Sequence, residues 1–232
     1  MKLNQNTIET LKNFAGINTN ILIKEGDELS TISTMRNIFA KAKVSDQFTK
    51  EFGIYDLNEF LSVVSGFSKP EVSLKDKNML ITPEGSKRGT TYWYSDPSVI
   101  VSPTKEVNMP EADVNFTLTS AKYKELLKMA AILKSPDLAL VGTKGGDIVL
   151  KVCDKKNDTA NSHEIVVGEN ATADYTFYFK VENMKMMEGD YDVAVSSKSI
   201  SHFKNKKYNL LLHLDLLRYQ MNLMYHSFYH KL

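Results

Sequence analysis

A single cysteine, Cys153, in 232 residues leaves no intrachain disulfide to be made, so the fold has to stand on its packed core. No apolar run approaches the roughly 20 residues that a membrane-crossing helix needs, and nothing ahead of the first helical pattern reads as a signal peptide. The expectation is a soluble, cytosolic chain. Formal net charge is only +1, which excludes the strongly basic balance of a protein that grips nucleic acid over its whole surface. Catalytic signatures are missing as well: no glycine run resembles a phosphate loop, and His163-Glu164 lacks the second histidine of a zinc helix. Cys153 has no feature marking it as a nucleophile and reads as an inert, buried thiol, and the acidic residues show no metal-binding spacing. The chain reads as non-catalytic, with no cofactor and no metal.

The charge that is present is uneven. From Lys204 onward five Lys or Arg stand against Asp215 alone, a balance of +4 that leaves −3 on the remainder. A mildly acidic body binds DNA only if its positive charges are gathered on one face, because the rest repels phosphate.

The length suits one large domain or two of ordinary size. One plan runs twice along it: helix, strands, helix, strands. In the first half Thr7 to Ala15 carries Ile8, Leu11, Phe14 and Ala15 on one side, and Gly16 ends the helix. Strands are expected at Ile21 to Ile23, Ile38 to Val44, Val72 to Leu74, Met79 to Ile81 and Thr90 to Tyr94. Asp56 with Glu59 makes a capping box for a second helix that buries Leu57, Phe60, Leu61 and Val64. Ser95 to Asp113 holds Pro97, Pro103 and Pro110 and reads as an extended connector. The plan then restarts. Val114 to Leu118 alternates as a strand, and Thr119 or Ser120 caps a long helix to about Leu133. Leu138 to Val141 and Asp147 to Val152 flank the turn Lys144-Gly145-Gly146, and His163 to Val167 alternates as a further strand. Tyr175 to Tyr191 reads as a strand, a short helical turn closed by Gly189, and another strand. These elements make an α+β protein of two similar domains, each a curved antiparallel sheet with two helices. The boundaries fall at 1–94, a connector at 95–113, 114–209, and an atypical tail at 210–232.

The 175–191 segment Tyr-Thr-Phe-Tyr-Phe-Lys-Val-Glu-Asn-Met-Lys-Met-Met-Glu-Gly-Asp-Tyr closely resembles the sliding clamps of T-even-type bacteriophages. Several other segments agree in order and spacing: Met1-Lys2-Leu3, Leu11-Lys12-Asn13-Phe14-Ala15, Ala40-Lys41-Ala42, Ile54-Tyr55-Asp56-Leu57-Asn58, Asp96-Pro97-Ser98 and Pro103-Thr104-Lys105. Each alone is weak, and the collinear set, covering roughly residues 1 to 203, is specific. The resemblance implies a processivity factor in the cytoplasm of an infected bacterium, with three chains joined head to tail into a six-domain ring around DNA. It implies as partners double-stranded DNA without sequence preference, a replicative polymerase, an ATP-driven clamp loader, other clamp users such as transcription factors, and no membrane. The rival class is a phage structural or interaction protein that reuses the sheet without encircling DNA.

Site residues follow from the resemblance. Tyr123, Leu126, Leu127, Ala130 and Leu133 form the buried stripe of the long helix, and Lys122, Lys124 and Lys128 lie opposite. An ordinary solvated lysine face would explain them. Within the resemblance they line the DNA channel with Lys12 and Lys185, neutralising phosphate without reading bases. Thr90, Thr91, Tyr92, Trp93 and Tyr94 are expected to meet His163, Glu164, Ile165, Val166 and Val167 of a neighbouring chain, ring closure satisfying two open sheet edges. Core packing is the competing reading for Tyr92 and Trp93. The connector is richer in apolar residues than a solvated linker needs, and Val99, Ile100, Val107, Met109 and Pro110, with Phe39, are expected to border a pocket for short peptide tails of clamp users.

The resemblance stops at Leu210, where Leu-Leu-Leu-His-Leu-Asp-Leu-Leu follows and strict alternation fails. A replaced or frameshifted end that does not complete the sheet is the expectation. A helix over Leu210 to Tyr225 would place Leu210, Leu214, Leu217 and Met221 on one face. A strand would set Leu211, His213 and Asp215 against Leu212, Leu214 and Leu216.

Overall fold

The computed structural model describes residues 1–169 and 171–216. Asn4 opens α1 (Gln5–Ala15), its side chain accepting a hydrogen bond from the Asn6 amide, and the helix buries Leu11, Phe14 and Ala15. Strand β1 (Ile21–Ile23) turns within two residues into β2 (Gly26–Ile32), where Gly26 has a φ of 115° that favours glycine. Then come β3 (Ile38–Phe48), β4 (Phe52–Ile54) and α2 (Leu57–Ser65). The Asp56 carboxylate caps α2 by accepting from the Asn58 and Glu59 amides, both at 3.0 Å, and Leu57, Phe60, Leu61 and Val64 are its buried stripe. Strands β5 (Pro70–Leu74), β6 (Asn78–Pro83) and β7 (Thr90–Trp93) end the first half.

A 3-10 turn over Pro97–Val99 begins the connector. The second half runs β8 (Val114–Leu118), α3 (Ser120–Leu133), β9 (Asp137–Gly142), β10 (Ile148–Cys153), β11 (His163–Gly168), β12 (Tyr175–Lys180), a 3-10 turn over Val181–Asn183, β13 (Tyr191–Ser196), β14 (Ile200–Asn205) and β15 (Leu210–Asp215). The second helix expected in this half is only that 3-10 turn. Its continuation is held open by two phenols: Tyr123 donates to the Met184 carbonyl at 2.7 Å and Tyr191 to the Met187 carbonyl at 2.9 Å. Those carbonyls serve the phenols instead of helical amides, Met184 and Met187 are buried, and Gly189, at φ 141°, starts the chain into β13.

Strand pairing repeats between the halves. β4 pairs with β1 as β12 pairs with β9, and β3 pairs with β2 as β11 pairs with β10. The sheet β5-β6-β7 matches β13-β14-β15, and the Met1 backbone bonds Val72 where β8 bonds β13. The halves share one sheet, ordered β2-β3-β15-β14-β13-β8. The joint is β15, antiparallel to β3 with Leu212 opposite Ala40, and antiparallel to β14 with Leu212 opposite Phe203.

That joint corrects the expectation for the tail. Leu210 to Asp215 is a working central strand, with Leu210, Leu212, Leu214 and Leu216 buried at 0, 0, 1 and 6% exposure toward the core. The chain therefore completes its sheet. Leu217, Met221 and the rest of the proposed helix fall outside the described residues.

A strand bonded on both sides exchanges its amides slowly. The amides of Leu211 to Leu214 are expected to exchange as slowly as those of β13 and β14 in a hydrogen-exchange experiment. Leu212→Ala should cost about 2–5 kcal/mol in denaturant unfolding, and both halves should lose stability together.

Candidate functional site

The helices form one layer against the sheets. α1 packs on α2 and β3, and α3 on β10 and β11. The layer is continuous between halves, because Asn13 at the end of α1 donates to the Lys185 carbonyl at 3.0 Å. This bond brings Lys12 and Lys185 to one neighbourhood although 172 residues separate Lys185 from Asn13. Lys185 lies on irregular chain after the 3-10 turn, its amide bonded to the Asn183 carbonyl at 2.7 Å, and not on the helical turn that the sequence had implied.

On α3, Tyr123, Leu126 and Ala130 are buried, with Leu127 and Leu133 packed beside them. Lys124 and Lys128 are exposed on the other side, and Ile132 is 60% exposed near the helix end. Lys124 pairs with Glu188, holding the Glu188 carboxyl below its usual range through the hydrogen bond and the lysine charge. Lys122 turns toward β11 and donates to the Val166 carbonyl at 2.7 Å. Lys12, Lys128 and Lys185 make no ion pair among the described residues. The layer is not uniformly positive: Glu9 stands on α1, Asp56 and Glu59 on α2, Glu125 on α3, and Glu182 and Glu188 beside Lys185.

Both strands expected at a joint between chains lie at the end of a sheet. β7 is bonded only through β6, and β11 only through β10. Trp93 is 65% exposed and Tyr55 beside it 64%, so Trp93 is not a core residue. Tyr92 points the other way, its ring 5.6 Å from that of Phe60 and its hydroxyl donating to the Asp56 carbonyl at 3.1 Å. On β11, Val166 is 44% exposed while Val167 is buried, and His163 contacts Glu125 at 2.9 Å.

The third feature is a cavity of about 250 Å³ where β3, β14, β15 and the connector meet. Phe39, Val107 and Met109 line it as expected. Ile100 instead packs against Gly53, where even a Cβ would come within 3.1 Å of its side chain, and Val99 is 54% exposed on the 3-10 turn. Neither these two nor Pro110 lines the cavity. Sequence reading missed Lys41, His202, Leu211 and His213, which supply the other wall. The cross-strand register explains them: Phe39, His213 and His202 stand opposite one another on β3, β15 and β14, on the face of the sheet away from the core. The His202 and His213 rings stack at 4.6 Å with 13° between planes, and Phe39 lies 5.5 Å from His213. His213 is only 3% exposed; burial, with His202 and Lys41 nearby, holds its pKa down to about 4. Cys153 is half-buried, and burial raises its pKa, which keeps it a thiol.

A duplicated helix-and-sheet unit whose halves share a central sheet is the sliding-clamp architecture. Among solved structures the chain resembles A. fulgidus PCNA bound to the C-terminal region of FEN-1, with a TM-score of 0.68 at 9% identity over 92% of this chain and 95% of that one. The family model for DNA polymerase processivity factors matches residues 2–102, and that for the C-terminal part of the gp45 sliding clamp matches 106–215. The sliding clamp of Vibrio phage KVP40 is 32% identical over 209 residues, covering 88% of this chain and 94% of that protein. The sliding clamp of Escherichia phage RB69 is 32% identical over 202 residues, covering 84% and 87%. The chain belongs to the phage sliding clamps, the processivity factors of DNA polymerase. The family match reaches Asp215, so β15 is a family strand and not a replaced end.

The His213 pKa gives a pH dependence. Its folded value lies below the ordinary 6.5, so the unfolded chain binds more protons between about pH 4 and 6.5 and stability falls as pH drops through that window. The loss should be on the order of 2 kcal/mol between pH 7 and 4, measured by urea unfolding, and His213→Phe should remove most of it.

Proposed function

We propose that three copies close head to tail through β7 of one chain and β11 of the next, forming a ring that encircles duplex DNA. The observation that carries this reading is the joint inside the chain. There β15, the last strand of the second half, adds to β3 of the first half. β7 and β11 hold the equivalent places in the opposite halves, so a β7–β11 contact between copies repeats a joint that the sequence already makes once. Head-to-tail contacts that close give cyclic symmetry. Trp93 and Tyr55 would bury their exposed rings against Ile165 and Val166 of the neighbour, and two open edges would be satisfied together.

The helix layer faces the duplex in this reading. Lys12, Lys128 and Lys185 are its unpaired cations; Lys124 can exchange Glu188 for a phosphate, and Lys122 belongs more to the β11 joint. Interspersed carboxylates keep the attraction weak, which suits a ring retained by topology and able to slide. The protein acts in the cytoplasm of the infected host and catalyses nothing itself. An ATP-driven loader opens the ring, and the polymerase and other clamp users, transcription factors among them, dock short peptide tails in the cavity lined by Phe39, Val107 and Met109.

Light scattering at micromolar concentration should give a trimer, and Val166→Pro in β11, which puts a ring without an amide hydrogen at the joint, should shift it to monomer. Monomer or dimer from the unaltered chain would remove the ring. For the channel, Lys12, Lys124 and Lys128 changed together to Glu should abolish loader-dependent stimulation of polymerase while leaving the trimer intact. Unchanged processivity at low salt would sink that assignment.

A further inference from the structure

We infer that the joint between copies has a second layer, in which the end of α3 packs on the start of α2 of the next copy and Ile132 seats against Tyr55. This rests on the β7–β11 joint proposed above and adds to it a helix contact that the strands alone do not require. Among the described residues seven large apolar side chains are left exposed, and Trp93 and Val166 already belong to the strand joint. Ile132, at 60% exposure, and Tyr55, at 64%, are two of the others.

Contacts to β11 fix the side of α3 on which Ile132 stands. Lys122 donates to the Val166 carbonyl at 2.7 Å, and Glu125 meets His163 at 2.9 Å. Met129 and Ile132 continue that stripe at i, i+3, i+7, i+10 spacing. β11 ends its sheet, so the space beyond this side of the helix is where the next copy would lie. Matching the N-caps Asn4 and Thr119 sets Lys122, Glu125 and Met129 in the places of Thr7, Thr10 and Phe14 on α1, which are all 0% exposed. The stripe that α1 seals inside the chain is left open at its end on α3.

The internal joint points to what covers it. There α1 reaches the second half through the bond from Asn13 to the Lys185 carbonyl. By the matched caps, and by the matched ends of β4 and β12 at Ile54 and Lys180, the corresponding places are the C-terminal part of α3 in one copy and the first turn of α2 in the next. α2 starts beside the end of α1, the Leu57 amide bonding the Thr19 carbonyl at 2.7 Å, so helices meeting at a joint run antiparallel. One turn on from the match to Asn13 is Ile132, on the turn by which α3, at 14 residues, outruns the 11 of α1. One turn back from the match to Lys185 is Tyr55. Tyr55 opens a cleft of about 410 Å³ between α2 and β7, walled by Tyr92, Trp93 and Tyr94. An isoleucine gains aromatic packing in that cleft and has nothing to offer a phosphate.

The test is sedimentation equilibrium on the full-length chain. Ile132→Glu should weaken each joint about tenfold or more, the loss of one well-packed anchor, because its carboxylate would face Asp56 and Glu59 at the same cleft. Adding Tyr55→Lys to that variant should restore most of the association by setting opposite charges across the joint. Both positions are exposed in the single chain, so the fold tolerates the changes. Association unchanged by Ile132→Glu, with Val166→Pro still giving monomer, would overturn the helix contact and leave the strand joint standing. A weakening that Tyr55→Lys does not relieve would overturn the pairing of α3 with α2. Absence of any trimer from the unaltered chain would remove the ring itself, and the helix contact with it.

Discussion

Everything in this molecule hangs on the main-chain hydrogen bonds between β3 and β15. A sheet edge is a row of unpaired donors and acceptors, and a protein made of two sheet-bearing halves begins with an excess of such edges. Setting β15 against β3 satisfies one pair of edges within the chain and joins the halves in a six-stranded sheet. It also fixes which edges stay open. Because the halves repeat one pairing scheme, β7 and β11, each at the end of a sheet, are the counterparts of the two already joined.

The helix layer obeys a looser constraint. Its lysines are spread over α1, α3 and the segment after β12, with carboxylates between them and Lys124 held by Glu188. A protein that depended on charge to hold DNA would gain little from this arrangement, since each ion pair within the layer competes with phosphate. For a clamp the requirement is different. In the ring proposed above, retention would come from closure, and the surface inside need only avoid repelling or arresting the duplex. What the layer requires is position, and that comes from uncharged contacts: the Asn13 bond to Lys185, and the Tyr123 and Tyr191 hydroxyls beneath it. Burial raises the Tyr191 hydroxyl to a pKa of about 12, so it remains a donor across the physiological range.

How much of this was legible in the sequence depended on whether one face or two was buried. The stripe on α2 and its Asp56 cap, and the stripe on α3 with Thr119, were readable because a helix with one wet side keeps its period. β15 was misread because both its faces are covered. Leu210, Leu212 and Leu214 face the core, while His213 on the opposite face is buried at the connector cavity, so the strand reads as a nearly continuous apolar run. β4, three residues long, carries too little pattern to register. The missing second helix in the second half was hidden for another reason: the phenols that hold Met184 and Met187 open come from Tyr123 and Tyr191, and no local period reports such contacts. At the pocket, Phe39, Val107 and Met109 could be anticipated. His202, His213, Leu211 and Lys41 could not, because their place follows from the registers of β14, β15 and β3, which the sequence alone does not set.

The same strand that joins the halves also floors the pocket, and this couples two functions that could have been separate. The cavity is lined by β3 of the first half, β14 and β15 of the second, and the connector between them, so a peptide bound there would touch both halves. Any ligand that binds the folded arrangement and not the separated one stabilises it by mass action, so an occupied pocket strengthens the joint on which the closed sheet depends. The reverse follows by reciprocity: a chain whose joint is weakened offers a poorer pocket. In the ring proposed above, a binding site placed across the internal joint would make the clamp firmest while a partner is attached.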